Sequence, residues 1–335
     1  MELVEENKIS DLPVVRCGNK LCRDGVGLLP RQAEAAFADP MLGSSHRRMD
    51  RATIDHDATL QEAAGKSPGI AMPKISRDGV EIYYEVHGSG QPLLLTHGYS
   101  STSQMWQGQI EALSEHHKLV LWDMRGHGKS DYPDDASAYS EALTVADMAA
   151  LLDEVGADSA IVGGLSLGGY MSLAFYRAHP QRVRALLIID TGPGFKKDNA
   201  REVWNKRAHD TGDRFEREGL AVLTSASRER STVSHRDASG LTRAARGMLT
   251  QRDARVIEVL PNIKVPSLVV VGADDTPFLA ASDYMAAKIP AAKKVVIPAA
   301  GHAVNIDQPQ AFIDAVLPFL DSLPRSAIPE RMVQS

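Results

Sequence analysis

Residues 160–176 read Ala-Ile-Val-Gly-Gly-Leu-Ser-Leu-Gly-Gly-Tyr-Met-Ser-Leu-Ala-Phe-Tyr, an apolar run of strand length that breaks at glycines and continues as an amphipathic helix. Around Ser166 the pattern is G-x-S-x-G in a strand–turn–helix setting. A serine lifted on so tight a turn has strained backbone dihedrals and close neighbouring chains, so the flanking positions must lack a Cβ. Gly164 and Gly168 meet that demand. A helix starting at the serine points its free N–H groups and positive dipole end at charge developing on an attacked carbonyl. An incidental serine in a glycine-rich turn is the plainer reading, and the full context weighs against it. A phosphate-binding loop competes poorly at this turn, which has neither a G-K-[ST] ending nor a G-x-G-x-x-G followed by an acidic ribose partner.

Outward from this turn the chain alternates strand-like and helix-like segments from Met72 onward. Strands are expected near Lys74–Ser76, Val80–Val86, Pro92–Thr96, Lys118–Asp123, Ala160–Gly163, Val183–Asp190, Pro266–Gly272 and Lys293–Ile297. Helices are expected around Thr144–Glu154, Ser166–Ala178, Ala280–Lys288 and Gln308–Leu320, the first of them started by Thr144 with Asp147 as an acidic capping-box partner. Such alternation implies an α/β fold with a mostly parallel sheet covered on both faces, and ligands at the carboxyl ends of its strands. The interval 192–262 breaks the pattern: it lacks strand-like runs and carries 14 Lys+Arg against 10 Asp+Glu. It reads as a helical lid over the strand ends. Its net charge would favour anionic substrates, but a solvated helical surface with i,i+4 ion pairs is the preferred account.

The chain has 335 residues, 43% apolar and 24% charged, which suits a globular protein with a large core and excludes a disordered or fibrous one. A formal charge of -6 without long single-sign runs offers no footprint for nucleic acid. Cys17 and Cys22 are the only cysteines, so a disulfide framework is absent and a reducing, cytoplasmic location fits. No segment has the apolar length of a membrane span. His46 and His56 lie too far from the cysteine pair for a metal site. Residues 1–71 read as a poorly structured extension, with Met72 a candidate natural start, and 323–335 as a tail.

A serine nucleophile needs a histidine base and an orienting carboxylate, in the order Ser, acid, His for this kind of fold. His302, in Gly301-His302 just past the last expected strand, is the candidate base. Asp274 and Asp275, at the end of the preceding strand, are both candidate acids, and spacing alone does not choose between them. His87, His97, His127 and His179 are rival histidines better explained by local hydrogen bonding.

Taken together, residues 72 to about 322 resemble the α/β-hydrolase superfamily. The resemblance rests on Thr96-His97-Gly98-Tyr99, the Asp123–Asp131 loop, the turn at Ser166, Gly272-Ala273-Asp274-Asp275 and Gly301-His302, in family order and spacing. It implies an eight-stranded α/β-hydrolase fold, with a core of 72–191 and 263–322 and a helical lid (cap) at 192–262. It further implies Ser166 as nucleophile, His302 as base and Asp275 as acid, with Asp274 in reserve and Asp190 a distant third. The backbone amides of Leu167 and Tyr99 would form the oxyanion hole, and Arg125 and His127 would belong to a structural loop without direct chemistry. Serine at the turn excludes branches that use aspartate there, such as epoxide hydrolases and haloalkane dehalogenases. The activity implied is hydrolysis of a small carboxylic ester or lactone through an acyl-enzyme, without cofactor or metal. Alternatives on the same residues are a carbon–carbon bond hydrolase, a cofactor-free perhydrolase, a lyase or acyl-transferase, or a ligand receptor. Trp106, Trp204, Tyr99 and Phe195 are candidate cavity residues.

Overall fold

In the computed structural model, which describes residues 73–324, leucine- and β-branched-rich segments pair into one eight-stranded sheet. The strands are β1 Lys74–Arg77, β2 Val80–His87, β3 Gln91–Thr96, β4 His117–Trp122, β5 Ala160–Leu165, β6 Val183–Ile189, β7 Ser267–Gly272 and β8 Ala292–Ile297. Their order is β1-β2-β4-β3-β5-β6-β7-β8; β2 runs antiparallel to β1 and β4, and the pairings from β4 to β8 are parallel. The eight expected strands form with ends shifted by one or two residues. The readings on Cys17, Cys22, His46, His56 and Met72, and most of the proposed tail, lie outside the described residues.

Alternate side chains of the central strands serve opposite faces, as the period of two requires. Leu94, Val162, Leu186 and Ile188 join one apolar cluster, whereas Leu93, Leu95, Ile161, Leu187 and Ile189 join another. Against the first face pack α2 (Glu141–Glu154) and α3 (Leu167–Ala178), through residues such as Met148, Leu151, Met171 and Phe175. Against the second pack α1 (Ile110–Ser114) and, further along the chain, the helix Pro309–Asp321, through Leu113, Phe312 and Val316. Because both faces are covered, β5 is buried along its whole length.

Between β6 and β7 the chain is helical, as expected: α4 (Asp198–Glu218), α5 (Arg228–Ser231), α6 (Ala238–Ala244) and α7 (Arg255–Val259). Thereafter α8 (Thr276–Lys288) follows β7, and α9 (Val304–Asp307) and α10 (Pro309–Asp321) follow β8. Many charges of the interval are exposed pairs, Lys206 with Asp210, Arg214 with Glu218, and Arg246 with Asp213 and Glu216. These exposed pairs agree with the solvated-surface account. One capping assignment is corrected. Helix α2 starts at Glu141 and its cap is Ser140, whose hydroxyl accepts the Leu143 amide at 3.2 Å; Thr144 sits inside the helix and donates to the Ser140 carbonyl. Ser140 holds the extended backbone that a cap requires, which the apolar pattern alone did not locate.

Asp147, read at first as a capping group, instead forms a bidentate pair with Arg125: Nε to Oδ2 at 2.7 Å and Nη2 to Oδ1 at 2.8 Å, with both side chains buried. The pair ties α2 to the loop after β4. Removing one partner strands the other charge out of water, a loss of about 3–5 kcal/mol. Asp147→Ala should therefore lower the free energy of unfolding in urea by that amount, and a variant as stable as the wild type would show that the buried Arg125 finds other compensation.

Candidate active site

The register aligns the carboxyl ends of the parallel strands, with Thr96 opposite Gly164, Leu165 opposite Ile189, Ile189 opposite Val270 and Gly272 opposite Ile297. Tyr99, Ser166, Leu167, Asp190, Asp274, Asp275 and His302 all follow strands that end at this edge. Ser166 sits between β5 and α3 at φ 55° and ψ −116°, a conformation that costs an L-residue on the order of 1–3 kcal/mol. Neighbours hold it there: its amide donates to the Ile189 carbonyl at 2.9 Å, and its own carbonyl accepts from the Thr191 hydroxyl and the Tyr170 amide. A Cβ on Gly164 would lie 2.5 Å from the Thr96 carbonyl oxygen, and one on Gly168 would collide with the same atom. The glycines are thus required by the approach of β3 to the turn. As first residue of α3, Leu167 presents one of the helix amides that lack an intrahelical acceptor.

His302 Nδ1 lies 2.9 Å from Asp275 Oδ2, with Asp275 buried and its backbone in the turn between β7 and α8. Asp274 is exposed. The Phe278 ring stacks on the imidazole at 5.0 Å between centroids and 25° between planes. Burial disfavours the charged imidazole, but the charge and hydrogen bond of Asp275, with contributions from Asp190 and Glu229, raise its pKa above the ordinary value.

Asp190 touches the same machinery differently. Fully buried just beyond β6, it accepts the Gly272 amide on Oδ1 at 2.9 Å and the Val304 amide on Oδ2 at 3.1 Å. It therefore fastens the end of β7, which carries Asp275, to the segment that carries His302. Burial pushes its pKa up, and the neighbouring Asp275 charge adds to the shift while His302 opposes it.

The rival histidines are accounted for locally. His87 pairs with Glu85 at 3.0 Å, and His179 ends α3 against Phe175. His97 accepts the Met124 amide on Nε2 at 3.0 Å, which leaves its Nδ1 proton for the Gly98 carbonyl at 2.7 Å. His127 accepts the Ser100 amide on Nε2 and bonds the Arg125 carbonyl through Nδ1. Sequence reasoning passed over His235, which accepts the Gly128 amide on Nδ1 and donates from Nε2 to the Ser100 carbonyl. Together the three imidazoles fasten the turn at residues 97–101 to the loop after β4 and to the helical interval.

Ser166 and His302 border two cavities. The larger encloses about 700 Å³, open mouth included, and its walls are largely apolar, with Leu167, Phe195, Trp204, Leu249 and Phe278. Trp204 is pinned by its Nε1 proton on the Leu249 carbonyl at 2.6 Å. The smaller, of about 300 Å³ with its open mouth likewise included, has Gly98, Tyr99, Glu229 and Arg230 in its walls. Of the four aromatic candidates, Trp204, Phe195 and Tyr99 reach these cavities, whereas Trp106 is fully buried against Phe312 in the second core cluster. Bulk alone did not separate lining from core residues. Among the described residues no group of three or more His, Cys, Asp and Glu is placed to hold a metal ion.

Residues 93–315 match the alpha/beta hydrolase family model. The chain belongs to this family. A putative 2-succinyl-6-hydroxy-2,4-cyclohexadiene-1-carboxylate synthase of Bacillus subtilis (strain 168) is 27% identical over 266 residues, which span 73% of this chain and 97% of that protein. The 3-oxoadipate enol-lactonase 1 of Acinetobacter baylyi is 25% identical over 269 residues, 74% of this chain and 96% of that protein. Among solved structures, the enol-lactonase from Burkholderia xenovorans LB400 superposes with a TM-score of 0.61 at 26% identity, covering 74% of this chain and 100% of that one. In this α/β hydrolase, no helix of the described residues is long and apolar enough to cross a membrane.

Burial holds His235 neutral and lowers its pKa to about 4. The unfolded chain therefore binds its proton first, and the stability that this residue contributes is present above the ordinary histidine pKa and lost as pH falls. Measured by chemical unfolding, wild type should lose about 1–2 kcal/mol relative to His235→Gln between pH 7 and pH 5. Parallel pH dependence in the two proteins would contradict this account.

Proposed function

We propose that this α/β hydrolase cleaves a small carboxylic ester or lactone with Ser166 as nucleophile, His302 as general base and Asp275 as the carboxylate that orients the base. The observation that carries the reading is the His302–Asp275 hydrogen bond at the rim of cavities that Ser166 also borders. The protein is thus a hydrolase of ester bonds, in keeping with its enol-lactonase relatives. Asp275 accepts the Nδ1 proton, which leaves Nε2 of His302 as the basic atom. That nitrogen takes the Ser166 proton as Oγ attacks the carbonyl, and the amides of Leu167 and Tyr99 stabilise the oxyanion, each worth about 3 kcal/mol. His302 then protonates the leaving alcohol. Water, activated by the same imidazole, releases the acid from the acyl-enzyme.

The segments 72–191 and 263–322 serve as the catalytic core in this reading, and 192–262 as a lid whose Trp204, Leu249 and Gln251 wall the larger cavity. A cavity lined by aromatic and aliphatic groups suits a substrate with an apolar portion. The sparse cysteine content supports a cytoplasmic location.

Ser166→Ala should remain folded and lose about 10⁴-fold or more in kcat on p-nitrophenyl esters or an enol-lactone. A folded variant with wild-type turnover would sink the assignment. Because Asp275 stabilises the imidazolium, His302 is a base only once deprotonated. The kcat/KM of the wild type should therefore rise with pH through a midpoint above 6.5, the ordinary histidine value; a flat profile from pH 6 to 9 would exclude His302 as the base.

A further inference from the structure

Glu229 has an environment that neither the fold nor the proposed triad requires. Its side chain is 4% exposed, although it belongs to an interval whose other charges mostly lie in solvent. Burying a carboxylate is costly unless both oxygens find partners. The buried Arg125–Asp147 pair of this same protein meets that condition with two parallel hydrogen bonds. Glu229 does not. Its Oε1 accepts the Ser227 hydroxyl proton and lies 3.9 Å from Arg230 Nε, while Oε2 is buried with no hydrogen-bond partner among the described residues.

The residue is also tied to the segment that carries Tyr99. Its backbone carbonyl accepts the Ser101 hydroxyl at 2.7 Å, two residues beyond Tyr99. Ser227, in turn, accepts from Arg230 Nε at 3.2 Å, so the hydroxyl is oriented to donate to Glu229. With Arg230, Gly98 and Tyr99, Glu229 walls the smaller cavity, and Ser166 and His302 border both that cavity and the apolar one. A substrate attacked by Ser166 therefore has an apolar cavity on one side and, on the other, a wall that contains a carboxylate whose Oε2 is buried and lacks a hydrogen-bond partner among the described residues.

We propose that the smaller cavity is a specificity subsite in which Glu229 accepts a hydrogen bond from a hydroxyl or amine on a short substituent of the substrate. The inference rests on the ester-hydrolase reading and narrows it: the preferred esters or lactones carry a donor group near the scissile bond and an apolar group on the other side. A site built to bond such a donor discriminates strongly against an analogue that lacks it, because the buried acceptor is then left unpaired.

Matched esters test the proposal on both sides of the scissile bond. Propyl 3-hydroxybutyrate against propyl 3-methylbutyrate exchanges a hydroxyl for a methyl on the acyl side, and 2-hydroxyethyl butyrate against propyl butyrate does so on the alcohol side. In at least one pair, wild-type kcat/KM should favour the hydroxylated member by about tenfold or more, and Glu229→Leu should bring that ratio near one. Glu229→Gln, which keeps the shape and one acceptor, should fall between them. Turnover by wild type with both ratios near one, or a preference unchanged in Glu229→Leu, would overturn the subsite alone. If wild type turns over none of the four esters, nor the p-nitrophenyl esters and the enol-lactone, the hydrolase reading falls and the subsite falls with it.

Discussion

The structure depends on a close crossing at the carboxyl edge of the sheet, where the chain turns from β5 into α3 against the Thr96 carbonyl. No Cβ fits at Gly164 or Gly168 in that crossing. The same turn forces Ser166 to a positive φ, and a hydrogen bond donated to the β6 carbonyl of Ile189 and one received from Thr191 keep it there. Folding thus pays for local strain with the packing of two flanking helical and strand layers. The strained residue ends up at the edge where the parallel strands deliver Asp190, Asp275 and His302.

Around that edge the polar groups divide by what they bond. Asp275 spends an oxygen on the His302 ring, whereas Asp190 spends both of its oxygens on backbone amides. Two buried carboxylates beside one imidazole therefore differ in role because of geometry: one orients a side chain, and the other joins the chain segments that carry the partners. The three neutral histidines act in a similar structural way. Each accepts a backbone amide, so each keeps its proton on the other nitrogen and fixes the turn at residues 97–101 against neighbouring loops. In the proposed mechanism that turn supplies the Tyr99 amide, so the ring network would hold the oxyanion donor in position.

The fold was largely legible in the chain. Short apolar runs between helical patterns marked the central strands, because strands buried on both faces need continuous apolar sequence. Gly164-Leu165-Ser166-Leu167-Gly168 marked the turn, because only glycine tolerates such an approach. Less legible were boundaries set by hydrogen bonds, such as the Ser140 cap of α2, and roles set by distant partners. Asp147 looks like a helix-start residue in sequence, and its bond to Arg125 spans 22 residues. Trp106 and Trp204 are alike as letters, yet one packs inside the core and the other walls a cavity.

From the chain alone follow the α/β alternation, the glycine-flanked serine and the presence of an acid and a histidine after it, since these are properties of local pattern and order. Tertiary structure decided the rest. It selected Asp275 over Asp274 as the partner of His302, because adjacent residues point in different directions and only the surrounding packing fixes which side chain turns inward. It also took Glu229 out of a solvated-looking charged interval and buried it in the wall of a cavity that Ser166 borders. Burial is a property of what covers a residue, and the segment around Glu229 is tied to Ser101, 128 positions away in the chain.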